Sequence, residues 1–300
     1  MKKPLFGFSL TIIIILSGYS FPLIAQYHNA DDDILPYGNT FDFWEEEQKT
    51  RKIYHVDKNH PDASDENPGT EEKPFFTINR AAQVLEAGER VLIHEGIYRE
   101  SVHPVNSGSG PSRMIIYEAV PGEKVIVKGS IVMKEENWKP GKGWVYRKHV
   151  PYTNKDIDTD YRVWMYEFDG KEFMGYNPFG MMNILHDREY LQYQKVKMDS
   201  HFKRRGMIFF FFLPLTQVLR PVDLQEHPEG AFWIEHNGMK VHVRVPEGKD
   251  PSNAVAEATN KEQLFVPEEY GSAYIKIKGL HFLHCGNGFP IPQRGMVSSN

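Results

Sequence analysis

Tyr274–Cys285 reads YIKIKGLHFLHC. Ile275 and Ile277 alternate with Lys276 and Lys278, so one face of the segment is apolar and the other is charged. Gly279 permits a sharp bend, after which Leu280 and Phe282 face inward again. The segment therefore reads as two short strands meeting at a corner, one rung of a β-solenoid. Tyr54–Ser130 reads as the opening of the same stack. Rungs bury their apolar faces only against neighbouring rungs, and three or more are usually needed. Asn300 ends the chain before such a stack is complete. The expectation is a piece of a larger protein, in which a site built on later rungs falls outside these residues.

The opening segment supplies a cap. Lys52–Asp57 (KIYHVD) reads as a first strand, and Asn59–Lys73 is a loop rich in Asp, Asn, Pro and Gly. Thr77 is an N-cap residue type, and Ile78, Ala81, Ala82 and Leu85 recur at helical spacing. Gly88 is placed to end that helix. Strands are expected at Arg90–His94, Met114–Glu118 and Lys124–Lys128, punctuated by glycines. A helix over the open end of a stack hides the apolar and hydrogen-bonding edge that would otherwise face water.

From Ile131 the pattern changes to antiparallel. Trp144–Lys148, Val163–Phe168 and Lys171–Met174 read as strands, with Asp169-Gly170 as a hairpin turn between the last two. Ala231–His236 and Met239–Val245 flank a second such turn, Asn237-Gly238. Phe209-Phe210-Phe211-Phe212-Leu213 reads as a buried strand. The polar residues of a hairpin turn, expected just before Pro214-Leu215, are missing. These features divide the chain into a leader (1–25), a polar arm (26–52), a cap with first rungs (53–130), an inserted β-sandwich (131–267) and a resumed stack (268–300).

The N-terminus has the three parts of a secretory signal: Lys2 and Lys3, the apolar run Leu10–Leu16, and Ala25 before Gln26, although Leu23 is large for its place. The alternative of an uncleaved anchor meets a run that is broken by Ser17, Gly18, Ser20 and Pro22 and is short of the ~20 residues a bilayer needs. A secreted or periplasmic protein without a stable membrane anchor is expected. Cys285 is the only cysteine, so an internal disulfide is impossible. The formal net charge of −5 and the absence of a basic block argue against a nucleic-acid partner.

The run from His55 through Pro68-Gly69-Thr70, Lys73-Pro74-Phe75, Thr77-Ile78, Ala81-Ala82, Gly88-Glu89 and His94-Glu95-Gly96-Ile97-Tyr98-Arg99-Glu100 to Gly122-Glu123-Lys124-Val125 and Lys128-Gly129-Ser130 resembles the N-terminus of secreted right-handed parallel β-helix proteins. It is most similar to the β-helix glycoside hydrolases of β-xylosidase type. The Tyr176-Asn177-Pro178 loop, the hairpin before Pro214-Leu215 and Tyr274–His284 extend the resemblance. It implies an all-β fold that starts a right-handed parallel β-helix, with a cap helix and an inserted antiparallel β-sandwich. It also implies a plant-type poly- or oligosaccharide partner. In that family the nucleophilic Asp and acid/base Glu lie on late rungs, so no catalytic residue is assigned here, and the piece alone is expected to be inactive. A non-catalytic β-helix module of the cell envelope, or one that binds carbohydrate, is the alternative. A polysaccharide lyase is the third option, although its calcium and Lys or Arg base have no visible constellation.

Among local candidates for chemistry, His94-Glu95 and Tyr98-Arg99-Glu100 carry charge but read as turn and solvated-strand residues. His281, His284 and Cys285 are too differently directed for zinc. No cofactor and no metal are expected. The loop after the last rung offers His284, Asn287, Phe289, Gln293 and Arg294 as sugar-binding candidates. Aromatic faces and polar side chains on loops suit that ligand.

Overall fold

A computed structural model describes Gln48 and residues 50–141, 161–181, 203–251, 254–286 and 295–299. The leader, nearly all of the polar arm and the expected strand Trp144–Lys148 lie outside the described residues. The described residues are all-β apart from one short α-helix and several 3-10 turns. In chain order the first elements are β1 (Lys52–Val56), α1 (Ile78–Val84), β2 (Glu89–Ile93), β3 (Gly96–Tyr98), β4 (Ile115–Ala119), β5 (Val125–Lys128) and β6 (Ser130–Val132). Then follow β7 (Trp138–Gly141), β8 (Val163–Glu167), β9 (Ile208–Phe210), β10 (Leu213–Pro214), β11 (Thr216–Gln217), β12 (Ala231–Ile234) and β13 (Lys240–Arg244). The last are β14 (Ala256–Thr259), β15 (Ile275–Lys278) and β16 (Leu280–Leu283).

Two sheets are parallel throughout. One has the order β1-β2-β4-β15 and the other β16-β5-β3. A third parallel column is formed by single bridges that join Val102 to Phe265 and Phe265 to Val297. The alternation in the sequence explains the burial. Tyr54, Val56, Val91, Ile93, Ile115, Tyr117, Val125 and Val127 turn inward to one core, which Phe265 enters from the third column. The Phe265 ring meets the Tyr117 ring edge-on at 5.0 Å. Each large apolar side chain removed from water here contributes about 1.5–3 kcal/mol. Gly279, at φ 75°, makes the corner between β15 and β16, and a Cβ there would stand 3.1 Å from the Ala119 Cβ.

Helix α1 begins where the residues place it. The Thr77 hydroxyl accepts the Arg80 N–H, and Ile78, Ala81 and Ala82 are buried. The helix ends at Val84, because Leu85 is already extended. Gly88, at φ 85°, instead serves the tight turn that follows, where the Glu89 N–H bonds the Glu86 carbonyl. Phe75, stacked on Tyr54 at 5.7 Å, joins α1 in covering the β1 end of the core.

The remaining strands form a four-stranded sheet, order β10-β9-β14-β6, and a five-stranded one, order β11-β12-β13-β8-β7. The first is antiparallel, and the second is antiparallel except for the β11–β12 pair. Phe210, Ile208, Ala256 and Ala258 from the first share a core with Tyr166, Phe232, Val241 and Val243 from the second.

Two expectations fail in this region. Gly170–Phe173 is a 3-10 turn rather than a strand after a hairpin. Asp169 caps it by accepting the Lys171 N–H, and Glu172 reaches back to the Asp169 N–H, so the local caps outcompete strand pairing. The phenylalanine tract is likewise not one buried strand. Ile208–Phe210 are buried, but Phe211 and Phe212 form the hairpin turn itself, at φ 48° and 68°. Phe210 then pairs with Leu213. Two consecutive residues at positive φ is the two-residue turn geometry that Asn-Gly normally fills.

Candidate functional site

Strand β14 alternates Ala256, Glu257, Ala258, Thr259. Its alanines enter the core between the antiparallel sheets. Glu257 therefore points to the opposite face, toward the parallel strands. There it meets residues from four other places in the chain. Arg99 follows β3, Lys128 ends β5, Ser130 opens β6 and His284 follows β16.

The geometry is tight. Arg99 Nη2 donates to Glu257 Oε1 at 2.7 Å, and Lys128 Nζ donates to both carboxylate oxygens at 2.9 and 3.0 Å. Ser130 Oγ donates to Oε2 at 2.9 Å. His284 Nδ1 lies 2.7 Å from Oε2. A carboxylate only accepts, so Nδ1 carries a proton, and in the neutral ring Nε2 is the lone-pair nitrogen. Arg99 Nη1 also reaches the Ser130 carbonyl and hydroxyl. Lys128 is fully buried at 0 % exposure. Aromatic rings roof the cluster. Phe209 stacks on His284 at 3.6 Å, and the Phe212 ring lies 5.0 Å from Lys128 Nζ.

Burial alone raises a carboxyl toward its neutral form. Here the hydrogen bonds from His284, Arg99 and Lys128 win, and Glu257 is held well below the usual carboxylate range. About four lone-pair positions of a carboxylate are available, and all are taken. Glu257 can therefore act neither as a nucleophile nor as an acid near neutral pH. Its work is to neutralise a buried lysine and to join the parallel strands to the antiparallel sheet.

Tyr176 makes a second tie across the same seam. Its hydroxyl donates to the Gly286 carbonyl at 2.6 Å, and burial pushes the phenol up to about 12. Asn177 fixes the adjoining turn by accepting the Phe179 N–H and donating to the Gly238 carbonyl.

The sequence candidates separate. His284 sits in the cluster, whereas Asn287, Phe289, Gln293 and Arg294 lie outside the described residues. Arg99 and Glu100 are not solvated-strand residues. Arg99 enters the cluster, and Glu100 accepts the Ile78 and Asn79 N–H groups at the start of α1. Burial still pushes Glu100 up, to about 7. Glu95 is exposed, and its N–H bonds Glu123. Cys285 is buried and directs its thiol at the Lys261 and Glu262 carbonyls, so it is no nucleophile. Among the described residues, no group of three or more His, Cys, Asp or Glu side chains is arranged to hold a metal. No described helix is long and apolar enough to cross a membrane. Sequence reasoning missed Glu257, Lys128 and Ser130. The one local signal is a charged residue between two alanines in a strand.

Comparison with known proteins places the fold. No family model matches the chain. The uncharacterised protein YwoF of Bacillus subtilis (strain 168) is 36% identical over 80 residues, which is 27% of this chain and 17% of that protein. The structure of XylC in complex with xylose superposes with a TM-score of 0.64 at 26% identity, over 82% of this chain and 38% of that one. The described architecture is thus like that of XylC. A structure described as a glycoside hydrolase reaches a TM-score of 0.38 at 14% identity, over 78% of this chain and 51% of that one. The chain spans well under two thirds of the length of each.

Proposed function

We propose that this chain is part of a secreted carbohydrate-active protein, a glycoside hydrolase that acts on xylose-containing or related plant-type polysaccharide. The observation that carries the reading is the likeness to XylC, a protein solved with xylose, at a TM-score of 0.64 over 82% of this chain. The two parallel sheets and the Val102–Phe265–Val297 column support a second element of the proposal. They are the first coils of a right-handed parallel β-helix, and the antiparallel sheets are an insertion between residues 131 and 267.

A retaining glycosidase needs two carboxylates ~5–5.5 Å apart, one as acid/base and one as nucleophile. Glu257 is saturated and serves neither role. We propose that the catalytic pair belongs to later coils and that His284, Asn287, Phe289, Gln293 and Arg294 contribute to sugar binding. The test begins with the reading frame beyond the codon for Asn300. The product of the longest frame is assayed on chromogenic xylosides, fucosides and arabinosides, and titrated with xylo-oligosaccharides. Turnover on one glycoside class is expected. Binding without turnover would instead favour a non-catalytic carbohydrate module. Neither binding nor turnover would end the carbohydrate reading.

A further inference from the structure

His55 and His94 meet on the outer side of the parallel sheet, and neither belongs to the Glu257 cluster. His55 lies in β1, and His94 directly follows β2. His55 Nδ1 and His94 Nε2 are 3.3 Å apart. The ring centroids are 5.6 Å apart, at an interplanar angle of 26°. That separation is the nitrogen gap plus the two ring radii, so the contact runs along the line that joins the rings. The arrangement is an N–H···N hydrogen bond, not two lone pairs converging on a third atom. His94 Nδ1 lies 3.3 Å from a Glu123 carboxylate oxygen, which is itself fixed by the Glu95 N–H at 2.7 Å.

The pair sits where the covering loop leaves and returns. The His55 N–H donates to the Gly69 carbonyl, and the Phe75 N–H donates to the His55 carbonyl. The Asp57 N–H bonds the Phe75 carbonyl, and the His94 N–H bonds the Val56 carbonyl. Phe75 is 2 % exposed and covers the end of the core. The imidazole bond thus ties the strand that bears the loop to the next strand along.

We propose that His55 and His94 form an acid-sensitive latch, which holds the loop of residues 57–74 to the parallel stack at neutral pH and releases it on acidification. An N–H···N bond requires one bare nitrogen. With both rings charged, two N–H groups face each other without an acceptor between them. The groups that face the pair pull in opposite directions. Burial and then His94 hold His55 below its ordinary value, while Glu71 and Glu72 of the loop act to raise it. Glu123 faces His94 from the turn after β4. A histidine whose folded value is depressed stabilises the fold above its unfolded value of ~6.5. That contribution is lost as pH falls through the folded value, because the unfolded chain then binds more protons.

The test uses the full chain, its His94→Gln variant, imidazole titration by NMR and amide exchange at about pH 7.5 and pH 5. The His55 midpoint is expected below ~6.5 and to rise by about half a unit or more in His94→Gln. Exchange at the Asp57 and Phe75 amides, corrected for intrinsic rates and referred to Val91, is expected to speed up about tenfold on acidification, as one pH unit of linkage allows. In His94→Gln that acceleration is absent. An unchanged His55 midpoint in the variant, or an acceleration that persists in it, overturns the proposal. If the variant does not fold, the wild-type titration decides alone, and a His55 midpoint at or above the ordinary value overturns it.

Discussion

Two of the described carboxylates, Glu257 and Glu118, each bridge two cations, in opposite surroundings. Glu257, at the seam between the parallel and antiparallel strands, holds Arg99 and Lys128. Glu118, on the outer side of β4, holds Arg90 at 3.2 Å and Lys278 at 2.8 Å. The carboxylates themselves are similarly shielded, at 3 % and 6 % exposure. The cations differ. The Lys128 side chain is 0 % exposed, and that of Lys278 is 64 % exposed. If Glu118 is lost, Lys278 turns into water. If Glu257 is lost, Lys128 has no water to turn to, and its charge is stranded. The value of an ion pair is set here by where its released partner can go.

The sharpest way to break that comparison is Glu257→Ala. It is expected to lose about 3–5 kcal/mol in denaturant unfolding, the usual cost of an uncompensated buried charge. The double variant Glu257→Ala/Lys128→Met removes both charges and is expected to recover most of that loss. A single variant within ~1 kcal/mol of wild type, the scale of a surface pair, would show that the seam is held by packing and not by charge.

Acid provides the second test. A carboxylate with a depressed folded value stabilises the fold above its unfolded value of ~4.3, and the contribution drains away as pH falls through the folded value. Glu257 is buried at the seam and held well below the usual carboxylate range. Stability measured downward from about pH 5 should therefore fall steeply in wild type and less steeply in Glu257→Gln. Equal slopes would detach the pH dependence from the seam.

The aromatic roof can be separated from the charges below it. Phe211 and Phe212 hold a turn in a backbone region that costs roughly 1–2 kcal/mol per non-glycine residue. Phe212 also covers Lys128, a contact of about 0.5–2 kcal/mol. Phe211→Asn with Phe212→Gly fits the turn but removes the cover. Phe211 in turn lies against Phe210 and under Lys249. A net gain of ~1 kcal/mol in unfolding free energy is expected, since the backbone relief at two residues exceeds the loss of these partly exposed ring contacts. A net loss would mean that the ring over Lys128 is as much a part of the seam as Glu257.

What the sequence disclosed follows from distance along the chain. Helix α1 was legible because Thr77, Ile78, Ala81, Ala82 and Leu85 lie within one helical window. The bend at Gly279 was legible because it separates two short alternating runs. Asp169-Gly170 misled because the same residues that favour a hairpin also cap a turn, and Glu172 settled the choice. Phe211 and Phe212 misled because composition gives no hint of two phenylalanines in a left-handed turn. The Glu257 cluster draws on residues 99, 128, 130, 257 and 284, and no stretch the length of one helix or strand contains more than two of them. Its charges become partners only once the strands are stacked. His284 was singled out for its place beside a candidate sugar loop, yet its Nδ1 is committed to Glu257.

The smallest effect belongs to the outer carboxylate. Lys278→Ala removes one cation from Glu118 and leaves Arg90 in place. The lysine is 64 % exposed, so its pair with Glu118 is screened by water, and holding the long side chain still costs rotamer freedom. A loss of ~0.2–1 kcal/mol is expected, shrinking further in high salt because an exposed pair is screened within a Debye length of roughly 10 Å at 0.1 M. The Glu257→Ala loss should hold nearly constant over the same salt range, since Lys128 is out of reach of ions. Parallel denaturation series of the two variants in low and high salt decide the matter. If the Lys278→Ala loss is as large and as salt-independent as that of Glu257→Ala, exposure of the released cation is not what distinguishes the two clusters, and the contrast between seam and outer face falls.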